Sequence, residues 1–179
     1  MSLLWADGAW ARECVQTDYD LNTQAEVDAL GATGCDRVWG DLVITSSADI
    51  SNLDTLANIA TVVGDLLIFN NGALTNLDGL ANLSSVGGRL EIEANNALTN
   101  LDGLANITSV RSLLINYNAA LTNLDGLAKV RTVPGFLQII ENAALTNLDG
   151  LANITSVGGG LYIVNNDALT NLDGLANLT

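Results

Sequence analysis

The sequence contains no histidine, and its 179 residues include only two cysteines and six basic residues. Histidine is the commonest general base, and zinc sites are built largely from histidine and cysteine, so both kinds of chemistry lack their usual side chains. No G-x-S-x-G sequence is present, and the aspartates recur as a regular column instead of an isolated pair in contrasting environments. We therefore expect that the protein is not an enzyme and holds neither a metal nor a cofactor.

Positive charge is scarce, since twenty acidic residues leave a formal net charge of −14. Such a surface repels the phosphates of nucleic acids and the anionic face of a membrane. The chain also lacks the run of about 18 apolar residues that a membrane-spanning helix needs. We expect no nucleic-acid partner and no membrane insertion. The acidity favours a cation or a basic partner, or serves only solubility.

One sequence repeat of 24 residues occurs six times in the chain. A fixed period of this length is typical of solenoid proteins, in which each repeat forms one coil and buries its apolar edge against the next. The fourth copy is one residue shorter than the others, and the chain stops inside a repeat. We expect residues 38–179 to form six coils, truncated at the C-terminus, of a longer protein whose signal peptide and anchor lie elsewhere. The copies begin at Val38, Val62, Val86, Val110, Val133 and Val157.

The apolar spacing within a repeat changes from strand-like to tighter turns. Leu90-Glu91-Ile92 alternates as a strand does, whereas a spacing of three from Leu98 onward suits short extended or 3₁₀ segments. Glycine pairs and Asp-Gly steps are expected to form the corners. The sequence therefore predicts a mainly β fold, a right-handed β-solenoid with an aliphatic interior. With the valine as position 1, the aliphatic positions are 1, 5, 7, 13, 16, 19 and 22, which in the third copy are Val86, Leu90, Ile92, Leu98, Leu101, Leu104 and Ile107.

Position 10 carries an asparagine among these leucines in five copies. A buried amide that lacks a partner costs about 1–3 kcal/mol, so the stacked amides are expected to bond the backbone of the neighbouring coil. The sequence thus predicts a structural ladder, in preference to a ligand site, made of Asn71, Asn95, Asn118, Asn142 and Asn166.

The segment before the repeats has a different character and is predicted to form an N-terminal cap over residues 1–37. Thr23 and Glu26 have the spacing of a capping box, which predicts a short helix at about 24–30 with Gly31 just past its end. Such a helix would cover the open end of the first coil.

Both cysteines, Cys14 and Cys35, lie in this cap. A disulfide closing a loop of this size stabilises a fold by about 3 kcal/mol and requires an oxidising compartment. The alternative is two buried thiols.

The pattern LxIxxNxxLxxLxxL resembles a leucine-rich repeat, similar to bacterial surface repeats of the internalin type. The longer period, the Val-Gly-Gly-x-Leu-x-Ile phrase, the paired cysteines and the run Gly34-Cys35-Asp36-Arg37-Val38-Trp39-Gly40-Asp41-Leu42-Val43-Ile44 are more similar to the receptor L domain. The resemblance covers about residues 11–179. It implies the ligand-binding lobe found in receptors of the insulin and epidermal-growth-factor type and in microbial surface proteins.

Outward strand positions differ between copies far more than the rest of the repeat. Positions 4, 6 and 8 share one sheet face, and exposed apolar side chains clustered on one face indicate an interaction site. The predicted role is recognition or adhesion through a protein or glycan partner. The alternatives are a passive spacer or stalk, and a face covered by end-to-end or face-to-face self-association. The candidate binding residues are Leu67, Phe69, Glu91, Glu93, Leu114, Phe136, Gln138, Ile140, Tyr162 and Val164.

Three further columns have simpler interpretations. Aspartate at position 17 in every copy suits turn chemistry better than a calcium row, and threonine at position 14 lacks the T-x-T pairing typical of ice-binding solenoids. Four Asn-x-Ser/Thr sequons lie at position 21, where stacked glycans would collide. The last point favours a bacterial origin, so the expected location is extracellular or on a bacterial cell surface.

Overall fold

A computed structural model describes residues 13–45 and 47–179, which form parallel sheets and one helix. The largest sheet has seven strands, arranged side by side in chain order and all parallel. The predicted mainly β class is confirmed. The strands of this main sheet are β1 (Tyr19–Leu21), β3 (Leu42–Thr45), β5 (Leu66–Phe69), β7 (Arg89–Glu93), β8 (Ser112–Asn116), β10 (Leu137–Ile140) and β12 (Leu161–Val164).

Each repeat except the fourth adds three short pieces to the stack, namely a two-residue strand, a main-sheet strand and a 3₁₀ helix, and the fourth repeat adds only the last two. The two-residue strands pair in parallel as two small sheets, which separate at Val110, where the fourth copy is one residue short. They are β2 (Arg37–Val38), β4 (Thr61–Val62), β6 (Ser85–Val86), β9 (Thr132–Val133) and β11 (Ser156–Val157). The 3₁₀ helices are Asp54–Leu56, Asp78–Leu80, Asp102–Leu104, Asp125–Leu127, Asp149–Leu151 and Asp173–Leu175.

Equivalent leucines of successive repeats lie directly opposite one another. Leu66 pairs in register with Leu90, and Leu90 with Leu113. All three side chains are completely buried. Because burying each aliphatic side chain is worth about 1.5–3 kcal/mol, this repeated interior is the main stabilising contribution to the fold.

Glycines in the repeat permit close contact between coils, in addition to their predicted place at corners. A Cβ at Gly103 would overlap the carbonyl oxygen of Leu77 in the preceding coil, and the equivalent glycine of every later coil meets a leucine carbonyl in the same way. Among the described residues, Gly34 alone combines glycine with a positive φ, of 65°. The pairs Gly87-Gly88 and Gly158-Gly159 lie at bends between two strands, and the Asp-Gly steps begin 3₁₀ helices, so these residues do lie at the corners of the coil, although positive φ is not the reason for glycine there.

The left-handed backbone conformation belongs instead to position 9 of the second to sixth coils, immediately after β5, β7, β8, β10 and β12. This position turns the chain inward so that the position 10 side chain enters the interior. Although most L-residues disfavour positive φ, the residues here are not glycine. They are Asn70, Ala94, Tyr117, Glu141 and Asn165, with φ between 54° and 60°.

The helix α1 (Gln24–Ala32) begins at the predicted capping box. The Thr23 side chain accepts the Glu26 N–H, and the Glu26 side chain accepts the Thr23 N–H. The helix continues through Gly31, which was predicted to lie just past its end, to Ala32. Glycine is needed at this position because a Cβ would overlap the backbone of Thr55.

A disulfide joins Cys14 and Cys35, so the predicted disulfide is confirmed over the thiol alternative. Both cysteines are almost completely buried. Residues 1–12 of the predicted cap lie outside the described residues. Within the described ranges, no helix has the length and apolar character to cross a bilayer.

Candidate functional site

The outward side chains of the main-sheet strands form two rows across the coils, at positions 6 and 8. We call these two rows, together with position 4 at or just before the start of each strand, the outer face. The sheet register aligns each residue with its equivalents in the neighbouring coils. The row at position 6 runs through Asp20, Val43, Leu67, Glu91, Leu114, Gln138 and Tyr162. The row at position 8 runs through Thr45, Phe69, Glu93, Asn116, Ile140 and Val164.

All ten candidate binding residues retain contact with solvent. Phe136, Tyr162 and Val164 are the most accessible, with 50%, 46% and 42% of their surface exposed. The other candidates are half-buried: Leu67, Phe69, Glu91, Glu93, Leu114, Gln138 and Ile140. The outer face therefore offers aromatic and aliphatic side chains from several coils at once.

Charge is concentrated on β7, between apolar residues of the neighbouring strands. Arg89 lies 3.0 Å from the Glu91 carboxylate and 3.6 Å from that of Asp65. Burial raises the pKa of Glu91 above its ordinary value, and the positive charge of Arg89 opposes this. A hydrogen bond and the negative charge of Glu93 raise the pKa of Glu91 further. The two glutamates are thus partly desolvated neighbours.

Position 4 is in part a structural position. The carboxylate of Asp18 accepts the backbone N–H of Asp41, and that of Asp41 accepts the N–H of Asp65. The carboxylate of Asp65 continues the series by accepting the Arg89 N–H at 2.7 Å. These carboxylates help to join successive coils, so their recurrence does not indicate a ligand.

Asn116 is a residue of the outer face that the repeat comparison did not single out. It occupies the outward position 8, in register with Glu93 and Ile140, yet only 5% of its surface is exposed. Its Oδ1 is buried and accepts no hydrogen bond. No sequence signal distinguishes it, because its burial depends on the side chains around it.

Residues 34–122 match the family model of the receptor L domain. This part of the chain belongs to the receptor L-domain family. The match begins one residue before Cys35 and covers the first coils of the stack. No curated protein shows significant similarity to the chain. A receptor L domain implies ligand binding, and together with the disulfide it indicates an extracellular location.

The five predicted ladder asparagines form a continuous column of hydrogen bonds. Asn118 shows the pattern: its Nδ2 donates to the carbonyl oxygens of Ile92 and Asn116, each at 2.9 Å. Its Oδ1 accepts the backbone N–H of Asn95 at 3.0 Å. The same bonds recur through Asn71, Asn95, Asn118, Asn142 and Asn166.

Asn71 ends this column, because Ser47 stands at position 10 of the first coil. The Asn71 Oδ1 is buried and accepts no hydrogen bond. Ser47 uses its hydroxyl locally, where it accepts the backbone N–H groups of Asp49 and Ile50. The first rung is therefore incomplete.

The position 17 aspartates do not make the turn hydrogen bonds that the sequence suggested. The asparagine two residues earlier makes them: Asn76 Oδ1 accepts the Asp78 N–H at 3.0 Å, and the same bond occurs in every coil. The aspartates are exposed, and the described residues contain no group of three or more acidic or cysteine side chains arranged to hold a metal ion.

Hydroxyl groups of the threonine column are bonded within the fold. Thr122 Oγ1 donates to the carbonyl oxygen of Thr99 at 3.1 Å, and Thr99 and Thr146 make the equivalent bonds to the coil before them. These hydroxyls hold neighbouring coils together, which is a structural reason for the column.

Proposed function

We propose that this receptor L domain is a recognition and adhesion module of a secreted or cell-surface protein, and that it binds a protein partner through the outer face. The observation that carries the proposal is the solvent contact of Phe69, Leu114, Phe136 and Ile140, from inner coils, on one side of the main sheet. Exposed apolar side chains clustered in this way mark interaction sites. No catalytic role is proposed.

A protein partner fits the composition of the outer face better than a glycan. Protein interfaces have an apolar core enriched in aromatic residues and a polar rim. Leu114, Ile140 and Val164 are aliphatic and come from three neighbouring strands. Aliphatic surface is suited to another protein surface, and glycan binding is the alternative outcome of the test.

For the architecture, we propose six right-handed coils over residues 38–179, capped by α1 at the N-terminal end. The strong preference of parallel strand connections for right-handed crossovers supports the hand. The contact of α1 with the first coil supports the cap, since Thr55 Oγ1 donates to the carbonyl oxygen of Val27 at 3.3 Å.

A bacterial cell surface is the proposed setting. Four sequon asparagines stack along one side of the coils, and the Nδ2 of each donates to a carbonyl oxygen of the preceding coil at 2.7–2.8 Å. An amide used in this way has a structural reason to recur without glycosylation. Self-association, end to end or face to face, stays a prediction.

The experiment compares binding of wild-type protein, Phe136→Asp and Tyr162→Asp to a glycan array and to a panel of immobilised extracellular matrix proteins. Ala143→Asp adds the same charge at an exposed turn residue and is the matched control. We expect both outer-face variants to lose binding to a protein of the panel, while the control retains it. Equal binding by all four proteins would contradict the outer face as the binding surface. No binding by the wild-type protein would support a passive spacer, and binding to glycans alone would contradict the protein partner.

A further inference from the structure

Three side chains with oxygen acceptors lie together on the outer face, on the adjacent strands β7 and β8. Glu91 and Glu93 share one side of β7, and the negative charge of Glu93 contributes to the raised pKa of Glu91. Asn116 on β8 is the direct register partner of Glu93. We call these three residues the acceptor cluster.

The buried amide of Asn116 is the strongest sign that the acceptor cluster is incomplete. Its Oδ1 accepts no hydrogen bond, and only 5% of the surface of Asn116 is exposed. A buried polar atom without a partner costs about 1–3 kcal/mol. The terminal torsion of asparagine is broad, so the amide can turn its oxygen toward a donor that approaches the face.

The cluster also carries uncompensated negative charge. Arg89 is shared between Glu91 and Asp65, and within residues 13–45 and 47–179 Glu93 makes no ion pair. The net charge of −14 adds a wider negative field that favours an approaching cation. The electrostatic complement of this part of the face is therefore positive.

Apolar side chains flank the acceptor cluster in register. Phe69 is the neighbour of Glu93 on β5, and Leu67 and Leu114 lie on either side of Glu91. A long cationic side chain buries its methylene stem on such surfaces while its charged end reaches the acceptors.

We propose that Glu91, Glu93 and Asn116 form the binding site for an arginine side chain of the protein partner. A guanidinium group carries five N–H donors in a flat fork, which matches two carboxylates and an amide oxygen on adjacent strands. A divalent hard cation fits less well, because it takes six to eight oxygen ligands. This inference rests on the proposed function of the outer face and identifies the chemistry of its partner.

The test uses two peptides that differ only in charge, acetyl-Leu-Arg-Phe-amide and its citrulline counterpart, which has nearly the same shape but is neutral. Each is titrated into ¹⁵N-labelled protein at low salt and followed by NMR. We expect the arginine peptide to shift the amide signals of Arg89–Glu93 and Ser112–Asn116 and the side-chain amide of Asn116. We expect it to bind about tenfold more tightly than the citrulline peptide, as charge-assisted hydrogen bonds predict.

Two variants of equal charge separate a local site from the general negative field. Glu93→Gln should remove most of the preference for arginine over citrulline. Glu141→Gln removes one negative charge at an exposed residue after β10 and should retain the preference. Asn116→Leu should weaken binding of the arginine peptide and leave binding of the citrulline peptide unchanged. This variant should stay folded, because the substitution removes a buried amide whose oxygen has no hydrogen-bond partner.

Each other outcome overturns the arginine site. Equal binding of the two peptides at the outer face would show that the positive charge of arginine is not recognised, although the face would still be a recognition surface. Shifts of amide signals outside β7 and β8, or no shift with either peptide, would show that the acceptor cluster is not a binding site. The proposed function is tested separately, since Phe136 and Tyr162 lie outside the acceptor cluster.

Discussion

The Oδ1 of Asn118 accepts the backbone N–H of Asn95, one coil earlier, at 3.0 Å. The Nδ2 of Asn118 meanwhile donates to two carbonyl oxygens, so one side chain serves three backbone groups. Two residues earlier, Asn116 is also buried but leaves its Oδ1 unpaired. At the end of β8, an inward asparagine is therefore fully hydrogen-bonded, whereas an outward asparagine keeps an oxygen without a partner.

Asn118→Ala should lower the free energy of unfolding by about 1–3 kcal/mol per backbone group left buried without a partner. Asn116→Ala should cost much less, because it removes an amide whose oxygen is unsatisfied. Urea unfolding followed by circular dichroism measures both. Equal small losses would contradict the structural role of the asparagine column.

Gly103→Ala should destabilise the fold by about 1–3 kcal/mol, the range for an overpacked interior. The added methyl group would overlap the Leu77 carbonyl oxygen of the preceding coil. Gly72→Ala is the matched control, since no atom lies within 4 Å of its Cβ position. Thermal unfolding of the two variants should separate them clearly, and similar melting temperatures would show that the coils can move apart.

Ala94→Gly should stabilise the protein by about 0.5–1 kcal/mol. Ala94 has φ of 55°, where an L-residue is strained by about 1–2 kcal/mol, and glycine relieves the strain at a smaller cost in unfolded-chain entropy. Ala105→Gly, at φ of −62°, should instead destabilise. If the unfolding midpoints of both variants shifted in the same direction relative to wild type, this reasoning would be contradicted.

Glu91→Gln tests the pH dependence that follows from the raised pKa of Glu91. A raised pKa in the folded state means that Glu91 stabilises the fold most at pH values below its ordinary pKa. That contribution disappears as the pH rises through the folded-state pKa. The stability of Glu91→Gln relative to wild type should therefore increase between about pH 3 and pH 7.

Glu141→Gln removes one charge at an exposed residue and serves as the control for Glu91→Gln. Urea unfolding at several pH values gives the comparison. A difference between Glu91→Gln and wild type that is independent of pH would show that burial does not perturb this carboxyl group.

The aliphatic interior and the strands could be predicted from the sequence because a fixed period aligns equivalent residues whatever the details of the coil. Leu90 and Ile92 recur with the same spacing as their neighbours, and both are completely buried. The column at position 10 follows from the same argument, because an asparagine at a recurrent inward position must find backbone partners.

The functions of the glycines could not be read in this way. Gly103 and Gly34 look alike in a sequence, but one admits a neighbouring backbone and the other adopts a positive φ. Asn116 was missed for a related reason: the unpaired state of its Oδ1 depends on side chains from other strands. Whether a residue is crowded or satisfied is a property of three-dimensional neighbours that local pattern does not encode.

In the first coil, Thr55 replaces the glycine that recurs in the later coils, and this restricts where additional coils can be inserted. Thr55 is accommodated because α1, not another winding, lies beneath it, and its hydroxyl bonds to that helix. Duplication of a gene segment anywhere downstream would reproduce contacts that already exist. A winding inserted between α1 and Thr55 would place a leucine carbonyl against the threonine side chain, so lengthening can proceed only at the far side of this residue.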